Sequence, residues 1–280
     1  MATNQRADPG PRAPTVLANP EGWGDRVLDR AADIPVPAQT RSPAGAGRQR
    51  ARHLRRAGFS LLELVIVLAV TLILTSLLLP ALTGVRRNVY KVISASHLRQ
   101  IGMGVTMYAR DYPERLPFSQ LLRDGMLLEL MAAHEGEDQP EAWDGLGLLY
   151  SGGYIETPEI FYCPGHEGEH TLDRYQYCWR DDFDGSIRIY TNYHYCGDLR
   201  WSDLKTRRSL DEGESLVLAT DGFRTRADLN HKSGLNLLRG DGSVRWHQFS
   251  SDLYALIPND PNGDQTDYAN LWGKLEKLGP

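Results

Sequence analysis

Hydrophobic and polar residues follow three different patterns along this chain of 280 residues. Residues 1–47 show no sustained apolar period and hold seven of the sixteen prolines. Such a stretch cannot bury enough apolar surface to offset the entropy of ordering it, so disorder is expected there. From Leu64 to Leu82 the pattern inverts, and nineteen consecutive residues carry no charge. As a helix they would reach about 28 Å, close to the hydrocarbon thickness of a bilayer. A buried core helix is the plainer alternative, but core helices of that length normally keep a polar edge. Beyond Pro80 a third pattern begins. Val85, Val89, Val92, Ile93, Ile101, Val105 and Tyr108 recur at steps of three and four, with Arg86, Arg87, Lys91, Arg99 and Gln100 between them. That spacing predicts an amphipathic helix with one face for a packed domain. Gly102 and Gly104 are expected to weaken its end, and Pro113 to stop it. One rod, membrane-embedded first and domain-packed second, is thus expected over roughly residues 60–110.

The rest reads as a small α+β domain. "GLGLLYSGGYI" suggests a short helix and turn leading to an extended "EIFYCP". Strand-like runs follow at "SIRIYTNYHY", "ESLVLATD", "GLNLLRG" and "SVRWHQF". The last two flank Gly240-Asp241-Gly242, a hairpin turn by its glycines, which accept positive φ. Strands after a long N-terminal helix predict an antiparallel sheet laid on that helix. The polar tail ends in a short helix, and no internal repeat is visible.

Charge sharpens the division. Residues 1–58 carry ten Lys/Arg against five Asp/Glu, and the remainder 21 against 31, so a +5 head precedes a −10 body. A basic flank before an apolar run keeps the N-terminus cytoplasmic and sends the body across the membrane. The acidic body excludes nucleic acid as its main partner. Three cysteines are too few for a disulfide-built scaffold; Cys163 with Cys178 is the nearest pair for a single bridge.

The apolar run raises a problem of charge at its start. An ionised Glu63 inside a bilayer costs several kcal/mol unless it is paired. Gly58 lies barely more than one helical turn earlier, and cleavage after it would free the α-amine of Phe59, a cation at neutral pH. That amine of one subunit could meet Glu63 of a neighbour. Simple snorkelling of Glu63 in an ordinary anchor is the bland alternative.

"RAGFSLLELVIVLAV" resembles the class III signal of type IV prepilins and of the pseudopilins of type II secretion systems. The resemblance implies that a prepilin peptidase cuts between Gly58 and Phe59 and methylates Phe59. It implies further that Glu63 acts in assembly and that Pro80 falls where the family often kinks its helix. The leader before Gly58 is far longer than the family's usual one. On this resemblance the chain divides into a leader (1–58), a membrane and assembly helix (59–84), its amphipathic continuation (85–112) and an exported α+β, pilin-like domain (113–280). Its expected partners are the peptidase, other pilin or pseudopilin subunits and the inner-membrane assembly machinery. The chain is then a structural filament subunit rather than an enzyme. "SASHLRQIGMGVTMYARDYPERLP" and "EIFYCPG" are similar to segments of a bacterial pilin-like group with a terminal motif of His, nine residues, then Asp-Gly, matched here by His231 and Asp241-Gly242. That group often has a Cys near the position of Ser96.

Other candidates compete with plainer readings. His166 to His170, "HEGEH", matches the zinc-peptidase pattern H-E-x-x-H, in which Glu167 would serve as general base in a membrane-anchored hydrolase. That chemistry needs a helix, and Gly168 after Cys163-Pro164-Gly165 argues for a loop. A structural zinc on Cys163, His166 and His170 is a second option, and a surface loop with a disulfide the default. Asp260, Asn262, Asp264 and Asp267 have the spacing of a calcium loop but lack the Gly and Glu of an EF-hand. Major pseudopilins have a calcium site in their C-terminal loops, which makes calcium the one cofactor to consider; a solvated acidic turn is the plainer reading. His231 near Asp241 or Asp221 suggests a hydrogen-bonded pair that fixes the final hairpin. Tyr190, Tyr193, Tyr195 and Trp246 read as sheet packing or, if exposed, as a surface binding module.

Overall fold

In the computed structural model the chain divides at Gly58. Residues 59–279 are described, apart from 114, 137–141, 181, 202 and 261–264. The expected disorder of the leader concerns residues outside that range.

Helix α1 runs unbroken from Leu61 to Asp111. Its first part is Leu, Val, Ile and Ala, and no residue of Leu61–Leu79 is buried. The three hydroxyl residues there are satisfied internally: Thr71, Thr75 and Ser76 donate to the carbonyls of Leu68, Thr71 and Ile73 at 2.7–2.9 Å. Polar side chains closed onto their own helix are what an apolar medium tolerates. The helix passes through Pro80 and ends just before Pro113, where Tyr112 donates its N–H to the carbonyl of Tyr108.

The packed face of α1 starts later than the valine pattern suggests. Val85, Val89 and Val92 are exposed, whereas Ser94, Leu98, Ile101 and Val105 are fully buried. Gly102 and Gly104 turn out to be contact points. A Cβ on Gly102 would lie 3.0 Å from the side chain of Leu238, and one on Gly104 would lie 2.9 Å from that of Ile155. The glycines let the helix approach the sheet, and the helix continues past both.

After α1 come α2 (Gln120–Arg123), a 3-10 turn (Leu127–Glu129), β1 (Ala132–His134) and α3 (Gly147–Ser151). "EIFYCP" is not extended. Pro158 opens a 3-10 turn over Pro158–Phe161, where its fixed φ and missing N–H suit a first helical position. Then follow α4 (Leu172–Tyr175), β2 (Ile189–Tyr190), β3 (Tyr193–Tyr195), a capped 3-10 segment (Leu210–Ser215), β4 (Val217–Asp221), β5 (Gly234–Arg239), β6 (Val244–Gln248), α5 (Ser251–Ala255) and α6 (Gln265–Lys277).

The main sheet is antiparallel in the order β3-β4-β5-β6, and β1 and β2 form a second antiparallel pair. The two-residue period of the strands sorts the main sheet's side chains between two covers. Tyr193 reaches His97 of α1, Asp221 reaches Ser94, and Asn236 donates to the carbonyl of Lys91. On the opposite face His194 packs on Tyr268 of α6, and Arg239 donates to the carbonyl of Leu278 just beyond α6. This double cover explains why every residue of β4 and β5 is buried. The result is an α+β, pilin-like arrangement, an apolar N-terminal helix followed by a domain of small antiparallel sheets.

Candidate functional site

Two sites emerge, one at the start of α1 and one where α1 enters the domain. At the first, Phe59 is 81% exposed and Glu63 stands in the first helical turn, the sole acid within Leu61–Leu79. Gly58 lies outside the described residues, as does the side chain of Pro80.

The second is a buried polar cluster beneath α1. Asp221, at the end of β4, is 1% exposed. Its Oδ2 accepts from the backbone N–H of Asn236 at 2.7 Å and from Asn236 Nδ2 at 3.0 Å. Its Oδ1 accepts from the Ser94 hydroxyl and, at 3.4 Å, from Asn230 Nδ2. His231 Nε2 stands 3.6 Å from Asp221 Oδ2 and 3.7 Å from Cys163 Sγ. Burial lowers the His231 pKa, opposed by Asp221 and reinforced by Lys91, so its imidazole is held neutral. Burial likewise pushes the Cys163 thiol up, to about 12.

Asp241 does not take part in this cluster. It is exposed and accepts from the Ser243 N–H at 2.9 Å, while Gly242 adopts φ +82° in the β5–β6 turn. Of the two partners considered for His231, Asp221 is therefore the one beside it. Asp241 and Gly242 shape the hairpin instead.

The H-E-x-x-H element lies in a loop, so His166 and His170 are not stacked on one helical face. His166 Nδ1 bonds Asn230 Oδ1 at 2.9 Å, and His170 Nδ1 meets the Tyr175 hydroxyl at 3.1 Å. Glu167 is exposed and pairs with Lys232 at 3.0 Å, which holds its carboxyl below the usual range. Among the described residues, the group of His, Cys, Asp and Glu placed to share a metal is Cys163, Asp221 and His231; His166 and His170 do not join Cys163. Nor does Cys163 bridge to Cys178: both are free and buried, as is Cys196. Of the calcium candidates, Asp260 is exposed, while Asn262, Asp264 and the side chain of Asp267 lie outside the described residues.

Tyr193 and Tyr195 are fully buried in the core, which removes them from any binding surface. Tyr190 stacks on His170 with ring centroids 4.3 Å apart, and Trp246 carries the Lys91 ammonium 3.9 Å above its ring. Sequence reasoning overlooked Ser94, Asn230 and Asn236. A signal for two of them existed: Ser94 and Asn236 are small polar residues at positions where the helical and strand periods call for apolar ones.

A family model for the prokaryotic N-terminal methylation motif matches residues 53–79, ending where the exposed apolar run of α1 ends. No curated protein and no solved structure matches the chain. The chain thus carries a prepilin-like class III signal, the mark of a prepilin-peptidase substrate that is exported and anchored by way of α1.

Proposed function

We propose that the protein is a structural subunit of a type IV pilus-like or type II secretion pseudopilus filament, processed between Gly58 and Phe59. One observation carries this reading: α1 begins two residues after Phe59 with nineteen predominantly apolar residues, Leu61–Leu79, none buried and with Glu63 as their single charge. A helix so apolar needs lipid before assembly and other helices after it. Cleavage supplies the Phe59 amine, mostly protonated at neutral pH with a reference pKa of about 8. Paired with Glu63 of a neighbouring subunit, it fixes the stagger of the bundle, because an unpaired charge there costs several kcal/mol. The basic flank keeps the leader cytoplasmic, and the acidic domain faces the exterior and decorates the filament. The spacing from His231 to Asp241-Gly242 supports a place in the pilin-like group with that terminal motif.

N-terminal sequencing of membrane-derived protein tests the processing step. The expected first residue is methylated Phe59; a chain that still begins upstream of Gly58 overturns the reading. Glu63→Ala tests assembly. Processing should persist while filament yield falls at least tenfold, as expected for loss of more than about 1.4 kcal/mol per contact. Full assembly of Glu63→Ala would reduce α1 to a plain anchor.

A further inference from the structure

We propose that Cys163 Sγ, the Asp221 carboxylate and His231 Nε2 hold one divalent zinc ion, which ties the turn after Pro158–Phe161 to the main sheet beneath α1. The three ligand atoms come from separate places in the chain: the turn after Pro158–Phe161, the end of β4, and the loop between β4 and β5. All lie within 4.8 Å of one another, and all three residues are buried.

The His231–Asp221 separation is that of shared ligands rather than of hydrogen-bond partners, while His231 Nε2 and Cys163 Sγ, 3.7 Å apart, are within reach of a weak sulfur hydrogen bond. His231 Nε2 is 3.6 Å from Asp221 Oδ2, too far for an N–H···O bond. Two ligands of a tetrahedral zinc, with bonds of about 2.0–2.3 Å, stand roughly 3.3–3.6 Å apart. The observed 3.6 and 3.7 Å lie within a few tenths of an ångström of those values, and the third separation, Cys163 to Asp221, is no more than 4.8 Å. Sulfur, imidazole and carboxylate together are a borderline-soft donor set that suits zinc over calcium or magnesium. Charge favours the same ion. A thiolate and a carboxylate neutralise a dication, whereas a lone buried carboxylate has only hydrogen bonds to stabilise it.

The surroundings supply what an orienting shell requires. Asn236 holds Asp221 through its backbone N–H and its side-chain amide. Ser94 of α1 donates to the same carboxylate and lies against Cys163. Cys163 is fixed by its own N–H, which donates to Asn192. A surface pocket of about 340 Å³, lined by Cys163, Tyr162, His97, His166 and Asn192, gives an entry path. On binding, the thiol proton leaves to solvent and a sulfur–zinc bond replaces the S–H bond, with no change of oxidation state. Zinc would join the elements at the level where α1 leaves its exposed stretch and enters the domain.

The test uses the full chain in detergent, stripped with chelator and then titrated with cobalt(II), a spectroscopic stand-in for zinc. One equivalent should bind and give a thiolate-to-cobalt charge-transfer band with the visible absorption of a tetrahedral site. Zinc should displace it. Cys163→Ser and His231→Gln should each weaken binding at least tenfold, and Cys178→Ser, outside the cluster, should leave it unchanged. A second measurement holds even if the variants fold poorly: zinc should slow alkylation of Cys163 in the unaltered chain at least tenfold. Failure of the stripped chain to take up a stoichiometric ion, binding undiminished in both ligand variants, or Cys163 alkylation unaffected by zinc would each overturn the proposal. None of these readouts depends on filament assembly.

Discussion

Asp144 shows how a single side chain can set a pH response. It is 2% exposed, and its two oxygens accept from the Gln120 N–H at 2.6 Å and the Ser119 hydroxyl at 2.9 Å. Burial, opposed by those two bonds, raises its pKa from 3.8 to about 7. A carboxyl whose folded pKa is raised contributes stability that is fully present below pH 3.8 and is lost as pH rises through about 7. Asp144→Asn should mimic the protonated form, with its oxygen kept for Gln120 and its amide turned to Ser119. Chemical denaturation should find this variant more stable at pH 8 by roughly 2–4 kcal/mol, with the gain vanishing near pH 4. Equal stability at pH 8 would mean that the native carboxylate is adequately solvated. At this scale the sequence was only partly legible. His231 and Cys163 stood out by residue type, but the partners that define their site did not. Asn230 and Ser94 are ordinary polar residues until folding brings them to Asp221 across gaps of nine and 127 positions.

Among the elements, those with a long period or a strong turn were readable in advance. Helix α1 was legible because an unbroken apolar run followed by an amphipathic stripe leaves few alternatives even across Pro80, and the β5–β6 hairpin because Gly240-Asp241-Gly242 specifies its turn. The elements that escaped notice, β1, α2, α4 and α5, have three to five residues each. Segments that short display no period, and tertiary contacts decide their conformation. The onset of packing along α1 was misplaced for a related reason. Periodicity marks a stripe on a helix but not the length over which a partner covers it, so it groups Val85, Val89 and Val92 with Ile101 and Val105. The two kinds of surface on α1 predict opposite responses to the same substitution. Leu98→Ala removes a fully buried side chain from the core and should cost the domain about 2–5 kcal/mol. Leu74 is 61% exposed, so Leu74→Ala should leave the domain's unfolding midpoint in detergent unchanged. On the proposed assembly, its effect should appear in the yield of filaments, where that face would be buried. Matching losses in the domain's unfolding would contradict this division of labour.

The whole domain is built to keep its histidines neutral. Six of the eight, His97, His166, His170, His194, His231 and His247, have pKa values pulled down, in every case first by burial. Burial outweighs the acids near some of them, Asp221 beside His231 and Asp228 near His166 and His170. His170 lies on Tyr190 and is lowered to about 4, and His194 stacks on Phe223 at 4.4 Å while accepting the Phe223 N–H. Groups depressed in the folded state contribute stability above their unfolded pKa, near 6.5, and lose it as pH falls toward the folded values. Each histidine that takes up its proton only on unfolding steepens that loss by about 1.4 kcal/mol per pH unit. Asp144 works against them in the same window, because its buried carboxyl gains stability on protonation. Metal-free protein should therefore be most stable near or above neutrality and unfold steeply between about pH 6 and 4. The steepness should increase in Asp144→Asn, which removes the one opposing group. Thermal melts of both proteins across that range, with zinc chelated, would check the prediction. A flat profile down to pH 4 would mean that the histidines find water or acceptors that burial conceals. An exported domain carried on a filament would then be acid-tolerant, contrary to what its buried imidazoles imply.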